Sequence, residues 1–233
     1  MQRPQASVHT PSYPELWLIL LTGFLHLVVE LVCDGRHGKT LWLLTPDQLY
    51  NLLAIVLWSG YVLWRLATTP GIARAWGFRG DNFMNALGSS LVFVTCAAVL
   101  LLVYGKLTGR LVVPQAFWLA LLLYPLYGVA QQFALQVLLA KNLRSIVKAR
   151  SVRAGVTGAV FSIAHFPNVP LMMLVAPAGF VFTLIYESRP NLWAVGLAHG
   201  LLGAMVYYIV LGADPGAQVL EMLRRLPHWH QGA

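Results

Sequence analysis

Apolar residues recur in runs too long for the interior of a soluble domain of this size. Seven segments read as helix: about Leu16 to Cys33, Leu49 to Ala67, Ala86 to Tyr104, Gln115 to Ala140, Ala154 to Phe166, Pro170 to Tyr186 and Leu192 to Leu211. Several reach roughly 18 residues or more, enough to cross a hydrocarbon core ~30 Å thick. Hydrophobic residues make up 58% of the chain and charged residues 10%, with a mean hydropathy of +0.66; a soluble domain carries about 25% charge. Within lipid the backbone must satisfy its own hydrogen bonds, so the pattern predicts an all-α, polytopic transmembrane helical bundle. No long linker and no internal repeat divides it. The expectation is a single integral membrane domain over 1–233 with about seven membrane segments. After the last span, Val219, Leu220, Met222, Leu223 and Leu226 recur at helical spacing and predict a C-terminal surface helix.

The formal charge of +8 sits in short loops, where it sets topology and meets anionic lipid rather than nucleic acid. With the N-terminus on one side, that side holds Arg3, Arg65, Arg74, Arg79, Arg189 and the loop from Lys141 to Arg153; the other holds Arg36, Lys39, Lys106, Arg110, Arg224 and Arg225. The bias makes the N-terminal side cytoplasmic. Met1 to Pro14 does not read as a cleavable signal, which suits a bacterial inner membrane. Cys33 and Cys96 form no motif.

Polar side chains inside these runs are the candidate chemistry. Gln131 and Gln132 lie in the fourth segment, His165 ends the fifth, and His199 lies in the seventh. From the shared entry side, a rise of about 1.5 Å per residue puts Gln132 and His199 each about 12 Å deep and His165 about 18 Å. Costly polar groups at one depth face the bundle interior or a wet cavity, so Gln132, His165 and His199 are expected to converge. Between the fifth and sixth segments, "HFPNVP" ends helix at Pro167 and Pro170. It is either a surface turn or a break at membrane depth. A second intramembrane candidate is Glu30, one helical turn after His26.

These residues resemble a known family. "FSIAH", with Phe161 and His165, followed by "YESRPNLWAVGLAHGLLG", with His199, is similar in order and spacing to the CPBP group of intramembrane proteases. That group includes the type II CAAX prenyl endopeptidases and bacteriocin-processing or immunity relatives. The core of the resemblance lies at about 115–211. The family carries Glu-Glu-x-x-x-Arg, then Phe-x-x-x-His, then His-x-x-x-Asn or Asp. Here Gln131 and Gln132 stand for the glutamates, Gln136 for the arginine and Gly203 for the last Asn or Asp. The resemblance implies that His165, His199, Gln131 and Gln132 occupy the catalytic positions, with Asn168, Phe161 and Gln136 at substrate or oxyanion positions. It also implies that a glutamate activates water, and that the histidines position water or a divalent metal such as zinc, with His165 and His199 as the ligands. A glutamine amide accepts no proton at neutral pH, and glutamine is a poor zinc ligand.

The expected function is therefore a CPBP-type intramembrane endopeptidase-like protein acting on a membrane-associated peptide or protein segment, with membrane lipid as its other partner. The alternative is an inactive pseudoprotease of the same fold that binds, scaffolds or confers immunity. A carboxylate near either histidine favours the first; amides alone favour the second. Gln132→Glu, nearly equal in volume, is expected to be tolerated and to restore a base.

Overall fold

The computed structural model describes residues 11–33, 45–111, 113–214 and 216–217. The C-terminal surface helix and the cations Arg3, Arg36, Lys39, Arg224 and Arg225 lie outside these. The described residues are helical, with no strand among them: α1 (Tyr13–Cys33), α2 (Pro46–Thr68), α3 (Ile72–Ala75), α4 (Phe83–Leu107), α5 (Ala116–Gln132), a π-helical stretch (Phe133–Ala140), α6 (Lys141–Leu143), α7 (Arg150–Ile163), α8 (Val169–Ser188), α9 (Leu192–Val206) and a second π-helical stretch (Tyr207–Leu211). Six helices among the described residues are long and apolar enough to cross a membrane: α1, α2, α4, the rod Ala116–Leu143, α8 and the rod Leu192–Leu211. The polytopic helical bundle expected from hydropathy is what forms. The fifth apolar segment is helical too, but α7 has 14 residues and does not reach the ~20 needed to span.

Short polar signals set the helix starts. Pro46 opens α2, and the Gln48 side chain accepts from the Thr45 backbone N–H at 3.1 Å. Asn168 caps α8 by accepting from the Leu171 N–H at 3.1 Å, and Asn191 caps α9 by accepting from the Ala194 N–H at 3.0 Å. Asn191 also donates to the Arg79 carbonyl at 2.7 Å and to Asn82 Oδ1 at 2.9 Å, so the cap ties α9 to the loop before α4. In that loop the Arg79 guanidinium hydrogen-bonds Asp81 and holds its carboxyl at about 2.

Two antiparallel pairs form the core. In the first, α5 and α9 touch backbone to backbone. A Cβ at Gly128 would fall 2.4 Å from the Gly196 carbonyl oxygen, and one at Gly200 would fall 2.4 Å from Pro125 Cα. In a bilayer, where apolar burial does not drive helices together, close approach of small residues supplies the packing. In the second, α7 and α8 form a hairpin whose open end is held by a buried ion pair. Arg153 Nε and Nη2 donate to the two Glu187 oxygens, each at 2.8 Å.

The α1–α2 pair joins this core through Glu15, which is 4% exposed. Glu15 accepts from Arg65 at 2.9 Å, from the Tyr61 hydroxyl, and from Asn142 Nδ2 at 2.9 Å. Asn142 in turn accepts from the Ser12 N–H at 2.8 Å. A buried carboxylate persists only when so satisfied, and here it fastens three helices.

Candidate active site

The glycine contact of α5 with α9 decides which polar groups meet. Gln131 lies one turn beyond Gly128, and His199 lies between Gly196 and Gly200. With the backbones this close, the two side chains reach each other: His199 Nε2 donates to Gln131 Oε1 at 2.9 Å. That bond puts the proton on Nε2 and leaves Nδ1 a bare acceptor. His199 Nδ1 is buried and has no hydrogen-bond partner. Gln131 also meets the side chain of Tyr127, one turn earlier on the same helix.

His165 comes from a different direction. It follows α7 at the start of the turn into α8, and its Nδ1 donates to the Phe161 carbonyl at 2.8 Å. The Phe161 ring stands between the histidines, with its centroid 4.7 Å from the His165 ring and 5.5 Å from the His199 ring. Gln131, His165, His199 and Phe161 line one cavity of about 300 Å³. Tyr124, Tyr127 and Tyr207 line it as well, and apolar residues of α4 and α8 complete the wall.

The expected convergence holds for the histidines but not for Gln132. Consecutive helical residues point about 100° apart, given 3.6 residues per turn, so only one glutamine can face the cavity, and it is Gln131. Gln132 is 0% exposed, as is Gln136. Gln136 Nε2 donates to Gln132 Oε1 at 2.9 Å, while Gln132 Nε2 and Gln136 Oε1 have no partner. The two amides make a neutral, buried pair. The π-helical stretch begins immediately after Gln132, with the Lys141 N–H bonded to the Gln136 carbonyl five residues back. Such stretches often fall at functional sites.

Asn168 is exposed, caps α8 and does not line the cavity. Gly203 lines it, with room beside Tyr124. Glu30 does not line it either, and His26 rests against the Tyr50 ring at 5.8 Å. The turn His165–Asn168 sits at the end of α7, roughly 22 Å along the helix axis from Arg150. The tyrosines are the residues that sequence reading missed. The Tyr127–Gln131 spacing of four was the available signal.

Among the described residues, none lining the cavity is Asp or Glu. Among the described residues, no three of His, Cys, Asp and Glu come together in a way that could hold a metal ion. A catalytic zinc takes three protein ligands, and here His199 Nε2 is already committed to an amide. The donor set does not fit zinc, and no step of the chemistry is routed through one. What the cavity offers is hydrogen bonding: imidazole lone pairs that accept, phenols that donate or accept, and an apolar wall.

The family model "Type II CAAX prenyl endopeptidase Rce1-like" matches residues 113–205, which include every polar residue of the cavity except Tyr207. No curated protein matches the chain, and no solved structure does. Over residues 113–205 this integral membrane protein is similar to the type II CAAX prenyl endopeptidase Rce1-like family.

Proposed function

We propose that this chain is a CAAX-protease-like membrane protein that holds a membrane-associated peptide or protein segment in its cavity without hydrolysing it. The observation that carries this reading is the bond from His199 to Gln131. At the position where the resemblance puts a glutamate, the histidine meets an amide, and no carboxylate lines the cavity among the described residues. A positioned general base contributes typically 10²–10⁴-fold, so its loss removes most of the hydrolytic rate and leaves the binding surface intact. The apolar wall suits a lipid-facing segment, and the ring nitrogens and tyrosines suit its peptide groups.

The test incubates the purified full chain with fluorescent membrane peptides, prenylated and unprenylated. Anisotropy reports binding and mass spectrometry reports cleavage. Saturable binding with no new termini supports the proposal, and turnover sinks it.

A second reading keeps catalysis, and one observation favours it. The Nδ1 of His165 and the Nε2 of His199 each donate, so both rings present a bare nitrogen lone pair able to take a proton. Under that reading cleavage appears in the same assay, persists with a chelator and disappears in His199→Ala.

A further inference from the structure

A second cleft, of about 430 Å³, opens where α4 approaches α8, at the end of the bundle that carries the Lys141–Arg153 loop. Ser89, Arg150, Ser188 and Arg189 form its polar part, and Val181, Leu184 and Ile185 form an apolar wall.

The charge here is unbalanced. Three guanidinia, those of Arg144, Arg150 and Arg153, surround one carboxylate, Glu187, and a fourth, Arg189, lines the cleft. Arg153 holds Glu187 bidentately at 2.8 Å, while Arg144 and Arg150 stand at 3.5 Å. Arg189 ion-pairs with no carboxylate among the described residues.

Arg150 shares Glu187 with two other arginines, and the hydrogen bonds of both cleft arginines go to neutral groups. Arg150 Nη2 donates to the Leu184 carbonyl and the Ser188 hydroxyl, and Arg189 Nη1 donates to the Asn85 carbonyl at 3.4 Å and to the Ser89 hydroxyl. Neutral acceptors orient a guanidinium without cancelling its charge. A guanidinium has five N–H donors, so Arg150 Nη1 and Arg189 Nε and Nη2 keep donors for another acceptor.

We propose that this cleft binds the phosphate of an anionic membrane lipid, its oxygens held between Arg150 and Arg189 and its acyl chains along Val181, Leu184 and Ile185. Two oriented guanidinia match a phosphate's several acceptor oxygens. The apolar wall distinguishes a lipid from a free phosphate, because only the lipid has chains to lay on it. The cleft is separate from the histidine cavity, and the proposal stands whether or not that cavity hydrolyses peptides.

Native mass spectrometry of the full chain in detergent tests it, with phosphatidylglycerol, phosphatidylcholine and inorganic phosphate as separate probes. The expected result is at least one retained phosphatidylglycerol, bound roughly tenfold tighter than phosphatidylcholine, with no displacement by millimolar phosphate. Arg189→Gln should weaken that binding several-fold, and Lys148→Gln, equal in charge lost but outside the cleft, should not. Arg189→Lys keeps the charge and loses the fork; it should fall between wild type and Arg189→Gln, and it carries the test should the latter not fold. Equal retention of the two lipids overturns the proposal. So does an equal effect of Lys148→Gln and Arg189→Gln, or full displacement by inorganic phosphate.

Discussion

Gln132 and Gln136 share one hydrogen bond of 2.9 Å in a place with no solvent exposure, and each keeps one polar atom unpaired. The pair is neutral and half satisfied. Neutrality is what burial demands here: a charge at either position alone would be unpaired.

The first prediction follows from that pair. Gln132→Glu, which volume alone marks as tolerable, should destabilise the protein by about 3 kcal/mol at neutral pH, because a buried carboxylate gains no cation. Adding Gln136→Arg should recover much of the loss. Thermal unfolding of wild type, both single variants and the double variant gives the coupling directly. Strictly additive losses would show that the two sites do not act as a pair.

Gln131, not Gln132, is the position at which a base can be restored. Gln131→Glu places a carboxylate within hydrogen-bond reach of His199 Nε2, the distance now spanned at 2.9 Å. Cleavage of a membrane peptide should rise by about 10²-fold or more over wild type, and His199→Ala in that background should abolish the gain. Gln132→Glu should give none. A gain from Gln132→Glu alone would contradict the geometry of the rod.

Helix spacing should control the same bond. Gly200→Ala drives a Cβ to 2.4 Å from the α5 backbone, whereas a Cβ at Gly203 meets only the Tyr124 ring at 3.5 Å. We expect Gly200→Ala to cost about 1–3 kcal/mol by overpacking and to weaken peptide binding, while Gly203→Ala leaves both near wild type. Melting temperature and anisotropy on the two variants distinguish them.

Glu187 should be hard to replace. Its side chain is 3% exposed and faces three arginines. Glu187→Gln leaves those cations without their counter-charge and should cost about 3–5 kcal/mol. Removing the exposed pair of Arg74 with Asp81 should cost far less, as surface pairs do. Thermal unfolding at low and high salt checks both, and only the Asp81 effect should fade with salt.

Hydropathy was enough to read the bundle, because each span is a long local pattern. The depth of a residue along a helix was also legible, and it brought His165 and His199 to one cavity. Rotation about the helix axis was not: Gln131 and Gln132 share a depth but face apart, and only the backbone contact of Gly128 with Gly196 and Gly200 fixes which one turns toward His199. Asn168 shows another limit. An Asn beside a histidine in a polar turn reads equally well as a ligand or a helix cap, and here the Leu171 N–H takes its oxygen. The tyrosines escaped notice because aromatic residues in a span look like packing until a cavity opens beside them.

Helix α7 stops at Ile163, after 14 residues, or roughly 21 Å of rise. A hydrocarbon core is ~30 Å thick. On the flank where the α7–α8 hairpin turns, α7 is some 9 Å shorter than that core, so a bilayer of full thickness there would be mismatched to it. Hydrophobic mismatch of this kind costs fractions of a kcal/mol per Å. The cost makes the protein sensitive to its host membrane. Shorter-chain lipids should relieve it and longer ones aggravate it.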